Sequence, residues 1–347
     1  VLKSYSWDKA GNQLNRTFRS LLDREKGLSA RQVIDPSRVP VPPKGQELPR
    51  AGSLPVLSII IPVYNSEKTI GRTLDSLKRM TDASKVLTEV IAIDDGSLDK
   101  SREIIESKKS ELHPLSLMIV RQENQGTAVA RNTGLNQSRG TWIFFLDADD
   151  ELAFDPLQLL QKTTDASAIG FSVKFFKGIT LRKTLLPILV TRKNHLNVFS
   201  SRNAFTASSI IFKKNRIQSP FDADFLYLED WLFWIMNPLI FEKMKLVRNH
   251  VSAIIHSHGK NKSSDYVTHG EYRKKVADTI LQNFGTRLTR KQRNNLTIQA
   301  QIGLIQQGKR IALKTFFRFP SSIVLYGKLI TFSLFRRKFA KIDFYGR

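Results

Sequence analysis

Residues 56–150 alternate between two hydrophobic periods. Val56 to Val63 is a continuous apolar, β-branched run, the pattern of a strand buried on both faces. Ser66 to Met80 repeats its apolar positions with helical spacing, and Ser66 is placed to cap the helix. The same pair of patterns recurs: a strand at Glu89–Ile93 and a helix at Leu98–Lys108, then a strand at Leu115–Val120 and a helix at Thr127–Gln137. A fourth strand follows at Thr141–Leu146. Such alternation predicts an α/β fold, a Rossmann-like, mostly parallel sheet flanked by helices. The regularity fades after residue 150. Ala168–Phe176 and Ser208–Phe212 read as strands, and Tyr227–Phe241 as a helix that Pro238 kinks or ends.

The flanks differ from this centre. Residues 1–55 read as an extension, with an amphipathic helix near Gln13–Leu22 and a proline-rich linker from Pro36 to Pro55. Residues 266–347 read as a basic, helical C-terminal region. The expected organisation is therefore 1–55 as extension, 56–150 as ligand-binding half, 151–265 as second half and 266–347 as basic tail.

Charge adds a constraint. The chain of 347 residues carries a formal net charge of +24, which calls for a polyanionic partner. In the tail an apolar stretch, Phe319 to Phe335, lies between Arg318 and the cluster Arg336-Arg337-Lys338. That arrangement suits an anionic membrane surface, with a packed terminal helix as the structural alternative. Nucleic acid is disfavoured because no recognition motif accompanies the charge. No apolar run reaches the ~18 residues of a membrane span. With no cysteine, any metal must sit on carboxylates, histidines or backbone oxygens.

The chemistry gathers where strands end. In an open parallel sheet, ligands bind beyond the carboxyl ends of the strands. The first predicted strand is followed by Tyr64, Asn65 and Glu67, the second by Asp94, Asp95, Gly96 and Ser97. The third is followed by Glu123, Asn124, Gln125 and Gly126, the fourth by Asp147, Ala148, Asp149 and Asp150. One such tip is an ordinary solvated turn; four in register make a crevice. Asp147-Ala148-Asp149 has the D-x-D form that can hold Mn²⁺ or Mg²⁺ against a diphosphate.

Four segments in order, Ile59–Ile70, Ile91–Asp99, Glu123–Leu135 and Trp142–Asp150, resemble the nucleotide-binding half of family-two glycosyltransferases with the GT-A fold. The resemblance implies roles. The turn from Pro62 to Asn65, together with Asp95, would hold the base and ribose of a nucleotide, UDP by default. Arg131 would contact the nucleotide or its phosphate; its structural alternative is an ion pair with Asp94 or Asp149. Asp147 and Asp149 would bind the metal and the diphosphate. Glu229-Asp230 resembles the family's ED motif, whose Asp is the catalytic base. Phe221-Asp222 resembles the approach to that motif, with Ser219-Pro220 where a glycine pair is usual. A downstream histidine, His256 or His258, would complete the metal shell as in some members, with a pair of surface or strand histidines as the structural alternative. Ser263-Ser264 resembles a loop that closes over the donor. The processive members' Q-x-x-R-W sequence is missing, so the resemblance implies a non-processive enzyme. It would act on a glycan or glycolipid acceptor, in the cytoplasm or peripherally on the inner face of the membrane. One carboxylate base with a metal-assisted leaving group implies inversion. The rival readings are an inactive GT-A domain serving as scaffold and a nucleic-acid-binding protein.

Overall fold

The computed structural model describes residues 56–163, 165–257 and 265–307. The expected helix near Gln13–Leu22, the proline-rich linker, His258, Ser263-Ser264 and the stretch around Phe319–Phe335 lie outside the described residues.

The strands are β1 (Leu57–Val63), β2 (Thr88–Asp95), β3 (Ser116–Gln122), β4 (Trp142–Phe145), β5 (Glu151–Leu152), β6 (Ala168–Lys177), β7 (Thr180–Leu185), β8 (Ile210–Lys213) and β9 (Met244–His256). They form one sheet in the order β3-β2-β1-β4-β8-β6-β9-β5, with β7 paired to β6. The β3-β2-β1-β4 block is parallel throughout. β8 runs antiparallel to both β4 and β6, and β9 is parallel to β6. Hence β6 and β9 point the same way as β1 and β4, and their carboxyl ends share one edge of the sheet.

The helices are α1 (Ile70–Ser76), α2 (Asp82–Val86), α3 (Ser101–Lys108), α4 (Thr127–Gln137), α5 (Leu157–Lys162), α6 (His195–Phe199), α7 (Glu229–Met236), α8 (Tyr266–Phe284) and α9 (Arg290–Gln306). The architecture is the expected α/β sheet with flanking helices, and helices α8 and α9 fill the described part of the basic tail. The helix expected from Ser66 starts four residues later. The Ser66 carbonyl accepts from the Thr69 and Ile70 N–H groups as a turn, and its hydroxyl donates to the Tyr64 carbonyl. Tyr227–Phe241 divides at Pro238 into α7 and a 3₁₀ turn, Pro238–Phe241.

Burial explains the sheet. Ile59, Ile60 and Ile61 are fully buried, as a central parallel strand requires. α4 lies tight on β1 because Gly134 leaves room: a Cβ there would collide with the Ile60 side chain. After Glu229-Asp230, α7 is apolar: Phe233 stacks on Phe221, and Phe212 meets Phe233 at a tilt and Trp234 edge-on. The opposite, amino-terminal edge is closed by buried Glu89. Its carboxylate accepts from Ser58 Oγ at 2.6 Å, from Arg139 N–H at 2.6 Å and from Gly140 N–H at 3.2 Å.

A candidate active site at the carboxyl edge of the sheet

The tip of β1 is laced to the segment after β2. Asn65 adopts a left-handed backbone, φ 47°, and its Oδ1 accepts from the Leu98 N–H at 2.9 Å. The Asn65 N–H donates to Ser97 Oγ at 3.1 Å, and the Glu67 N–H to Asp99 Oδ2 at 2.9 Å. Tyr64 stays half exposed beside this seam. Pro62 is paired with Ile93 and is the one partly exposed residue of β1.

The tip of β2 is laced to the loop after β3. Asp95 is buried and its carboxylate takes three donors: Gln122 Nε2 at 2.8 Å, Gln125 N–H at 3.0 Å and Gly126 N–H at 2.8 Å. Asp94 Oδ1 accepts from the Ser97 N–H at 2.8 Å. Gly96 sits between them at φ +74°, where a Cβ would lie 2.9 Å from the Asn124 nitrogen. Asp94 and Asp95 therefore fix the shape of two loops.

The tip of β4 reaches across to α7 through one cation. Arg131 of α4 is buried; Nη2 donates to Asp147 Oδ1 at 2.8 Å and Nη1 to Glu229 Oε1 at 2.7 Å. Its guanidinium lies 5.6 Å from the Phe145 ring centroid and 5.5 Å from that of Phe221. Burial disfavours the charge, but Asp147, Glu229 and Asp230 outweigh it and hold Arg131 more firmly protonated than usual. The ion pair given as the structural alternative for Arg131 forms, with Asp147 and Glu229 as its partners. The next residue, Asn132, clamps Phe221 from both sides, Nδ2 on its carbonyl at 2.8 Å and Oδ1 on its N–H at 2.9 Å. Asn132 was not legible as a site residue.

Glu229 and Asp230 diverge. Glu229 is buried in its pair with Arg131. Asp230 is partly buried, and its Oδ1 accepts from the Trp231 N–H at 2.8 Å. Burial and then the neighbouring Glu229 carboxylate push Asp230 up to about 7, against the pull of Arg131 and a hydrogen bond from Asn203. Asn203 is a second residue the sequence did not flag. Leu228, just before the pair, is held at φ 59°. A left-handed leucine is strained, and it aims the first turn of α7.

Beyond Asp147, three carboxylates follow in a row. Asp149 keeps its backbone carbonyl on Arg72 Nη2 at 2.8 Å. The Ala148 carbonyl accepts from Thr73 Oγ1 at 2.9 Å. Burial, then Asp149 and Asp147, push Asp150 well above the usual carboxylate range. Its Oδ1 accepts from the His256 N–H at 3.3 Å. The His256 ring turns to Glu151, Nε2 to Oε1 2.8 Å, and Glu151 also pairs with Arg79. Among the described residues no group of three or more His, Asp or Glu is arranged to hold a metal ion. The donor set still fits a hard cation that takes one or two carboxylates from protein and the rest of its shell from phosphate oxygens. Asp147 and Asp149 are the carboxylates that could serve such a cation.

Comparisons with known proteins show what the chain is similar to. Residues 58–218 match the family model for glycosyl transferase family 2. An uncharacterized glycosyltransferase of Bacillus subtilis, EpsJ, is 34% identical over 135 residues, 39% of this chain and 38% of its own. The minor teichoic acid biosynthesis protein GgaA of the same organism is 42% identical over 105 residues, 30% of this chain and 23% of its own. The poly(ribitol-phosphate) β-N-acetylglucosaminyltransferase TarS of Staphylococcus aureus is 28% identical over 182 residues, 51% of this chain and 31% of its own. The matches thus span well under half of each relative. The structure of a TarS fragment with UDP-GlcNAc superposes with a TM-score of 0.55 and 21% identity, over 72% of each chain, and shares the fold.

Proposed function

We propose that this chain, whose residues 58–218 form a family-two glycosyltransferase domain of GT-A fold, moves a sugar from a nucleoside diphosphate to an acceptor hydroxyl with inversion. The observation that supports it most is the reach of Arg131 from Asp147 to Glu229, which joins the acid tip of β4 to the carboxylate pair on α7. A donor diphosphate and an acceptor base must flank one anomeric carbon in such a reaction.

Asp230 is the base in this reading. It takes the proton from the acceptor hydroxyl while that oxygen bonds to the anomeric carbon and the carbon–phosphate oxygen bond breaks. The nucleoside diphosphate leaves from the opposite face. A carboxylate pushed up to about 7 is well matched to accept a proton near neutral pH. A divalent cation, Mn²⁺ or Mg²⁺, held by Asp147 and Asp149, would stabilise the charge on the departing diphosphate. Tyr64, Asn65, Glu67, Asp94, Asp95, Gly96 and Asn124 shape the pocket for base and ribose. UDP is the favoured nucleotide because the TarS structure of like fold holds UDP-GlcNAc. The names of GgaA and TarS favour a cell-surface glycan or glycolipid acceptor, met at the inner membrane face.

A thermal-shift panel of nucleotide sugars with and without Mn²⁺ tests the reading. The true donor stabilises the fold by mass action, about 2.7 kcal/mol at a hundredfold excess over Kd. Absence of any metal-dependent stabilisation across the panel would sink it. An inactive scaffold would bind a donor and still give no transfer.

A further inference from the structure

The hairpin of β6 and β7 is exposed well beyond what the fold needs. Ile179 at its turn is 98% exposed, and Leu181 and Leu186 are about half exposed. Between residues 174 and 186 the sequence carries Lys174, Lys177, Arg182 and Lys183 and no acid. β7 pairs only with β6, so its outer face has no neighbour among the described strands. An apolar tip ringed by cations is the chemistry of an anionic lipid interface.

Its position follows from the topology. β6 runs with β4, so the hairpin turn projects from the edge of the sheet that carries Asp147 and Asp149. The two are one strand apart: Phe176 is paired with His256, the Ser257 N–H donates to the Phe176 carbonyl at 2.7 Å, and the His256 N–H donates to Asp150. We infer that the β6–β7 hairpin is a docking finger for an anionic bilayer, with Ile179 and Leu181 entering the headgroup layer and Lys177, Arg182 and Lys183 meeting lipid phosphates. Docked this way, the chain turns its carboxyl-edge site toward the membrane. The docking itself depends on neither donor nor transfer, so it stands or falls separately from the proposed reaction.

The absence of cysteine makes the test direct. In the full chain, Ile179→Cys is labelled with an environment-sensitive fluorophore and mixed with vesicles of phosphatidylglycerol and phosphatidylcholine. A second variant, Asp82→Cys on α2, carries the same probe at the opposite edge of the sheet, where the side chain is 78% exposed. The expected result is a blue shift of the Ile179 probe, quenched by brominated acyl chains, with the Asp82 probe unmoved and pure phosphatidylcholine inert. A silent Ile179 probe, whether or not the chain binds vesicles, overturns the inference. So do equal responses at both positions. A shift of the Ile179 probe with soluble polyphosphate and none with vesicles assigns the finger to a polyanion and overturns the membrane assignment.

Discussion

At the residue scale, the two neighbours Glu229 and Asp230 are expected to fail in different ways. If Asp230 is the base, as proposed, Asp230→Asn removes the proton acceptor and keeps the shape, so donor affinity should hold while turnover falls about 10²–10⁴-fold. Steady-state kinetics with a donor titration checks this, and full turnover in the variant would refute the assignment. Glu229→Gln leaves Arg131 with one hydrogen-bonded anion, Asp147, instead of two. It should cost about 1–3 kcal/mol of stability, read by denaturant melts. The pH dependence has a definite sign. Asp230 must be ionised to act, so kcat/KM should rise with pH and level off above about 7. Its folded-state value lies above the ordinary 3.8, so the folded protein holds that proton more tightly than the unfolded chain. Ionising it therefore costs stability as pH rises from about 4 to 7, and Asp230→Asn should melt higher than the parent at pH 8. The groups facing it are Glu229, Arg131 and Asn203. Asp147, Arg131 and Asp230 could be read from the sequence because each sits in a motif. Asn203, Asn132 and Arg72 could not, since each acts through a contact far away in the chain: Asn132 on Phe221, Arg72 on the Asp149 carbonyl and Asn203 on Asp230.

At the element scale, legibility followed burial symmetry. β1, β2 and β4 are buried on both faces, so their apolar runs stand out, and α4 appears in the structure with the bounds read from sequence. β9 was missed although it has 13 residues. Its middle, Arg248-Asn249-His250, is polar because the strand shifts register against β6 there, and the alternation breaks at the shift. β7 was missed because it is exposed on most of its length. Ser66 opens a turn instead of capping α1, since serine before an apolar run serves either purpose. One prediction belongs here. Asn237 is fully buried and ties α7 to the loop before it, its Oδ1 accepting from the Gln218 and Ser219 N–H groups at 2.6 and 2.9 Å. Asn237→Ala orphans both donors and should cost about 2–4 kcal/mol. Chemical denaturation would read this, and a loss below half a kcal/mol would show that water replaces the side chain. Gly96→Ala should likewise cost about 1–2 kcal/mol for a left-handed alanine, and should weaken nucleotide binding by moving Asn124.

At the scale of the whole molecule, charge and continuity matter most. A net charge of +24 makes any association with anionic vesicles sensitive to salt. Raising ionic strength from about 0.1 to 1 M shortens the screening length from about 10 to 3 Å. Sedimentation with phosphatidylglycerol vesicles should therefore drop steeply over that range, and salt-independent binding would point to apolar insertion alone. Among the described residues no helix is long and apolar enough to cross a membrane. The sheet itself is unbroken from β3 to β5, and Arg131 spans the gap from Asp147, beyond β4, to Glu229 of α7. That span bears on the making of hybrids. Exchanging everything after Asp150 between this chain and a relative would split a three-residue electrostatic unit between two parents. A graft joined there inherits Arg131 and Asp147 from one and Glu229 from the other. Swaps that carry all three together, with Asn132 and Phe221, should fold and turn over, whereas swaps that separate them should yield protein that binds donor and adds no sugar.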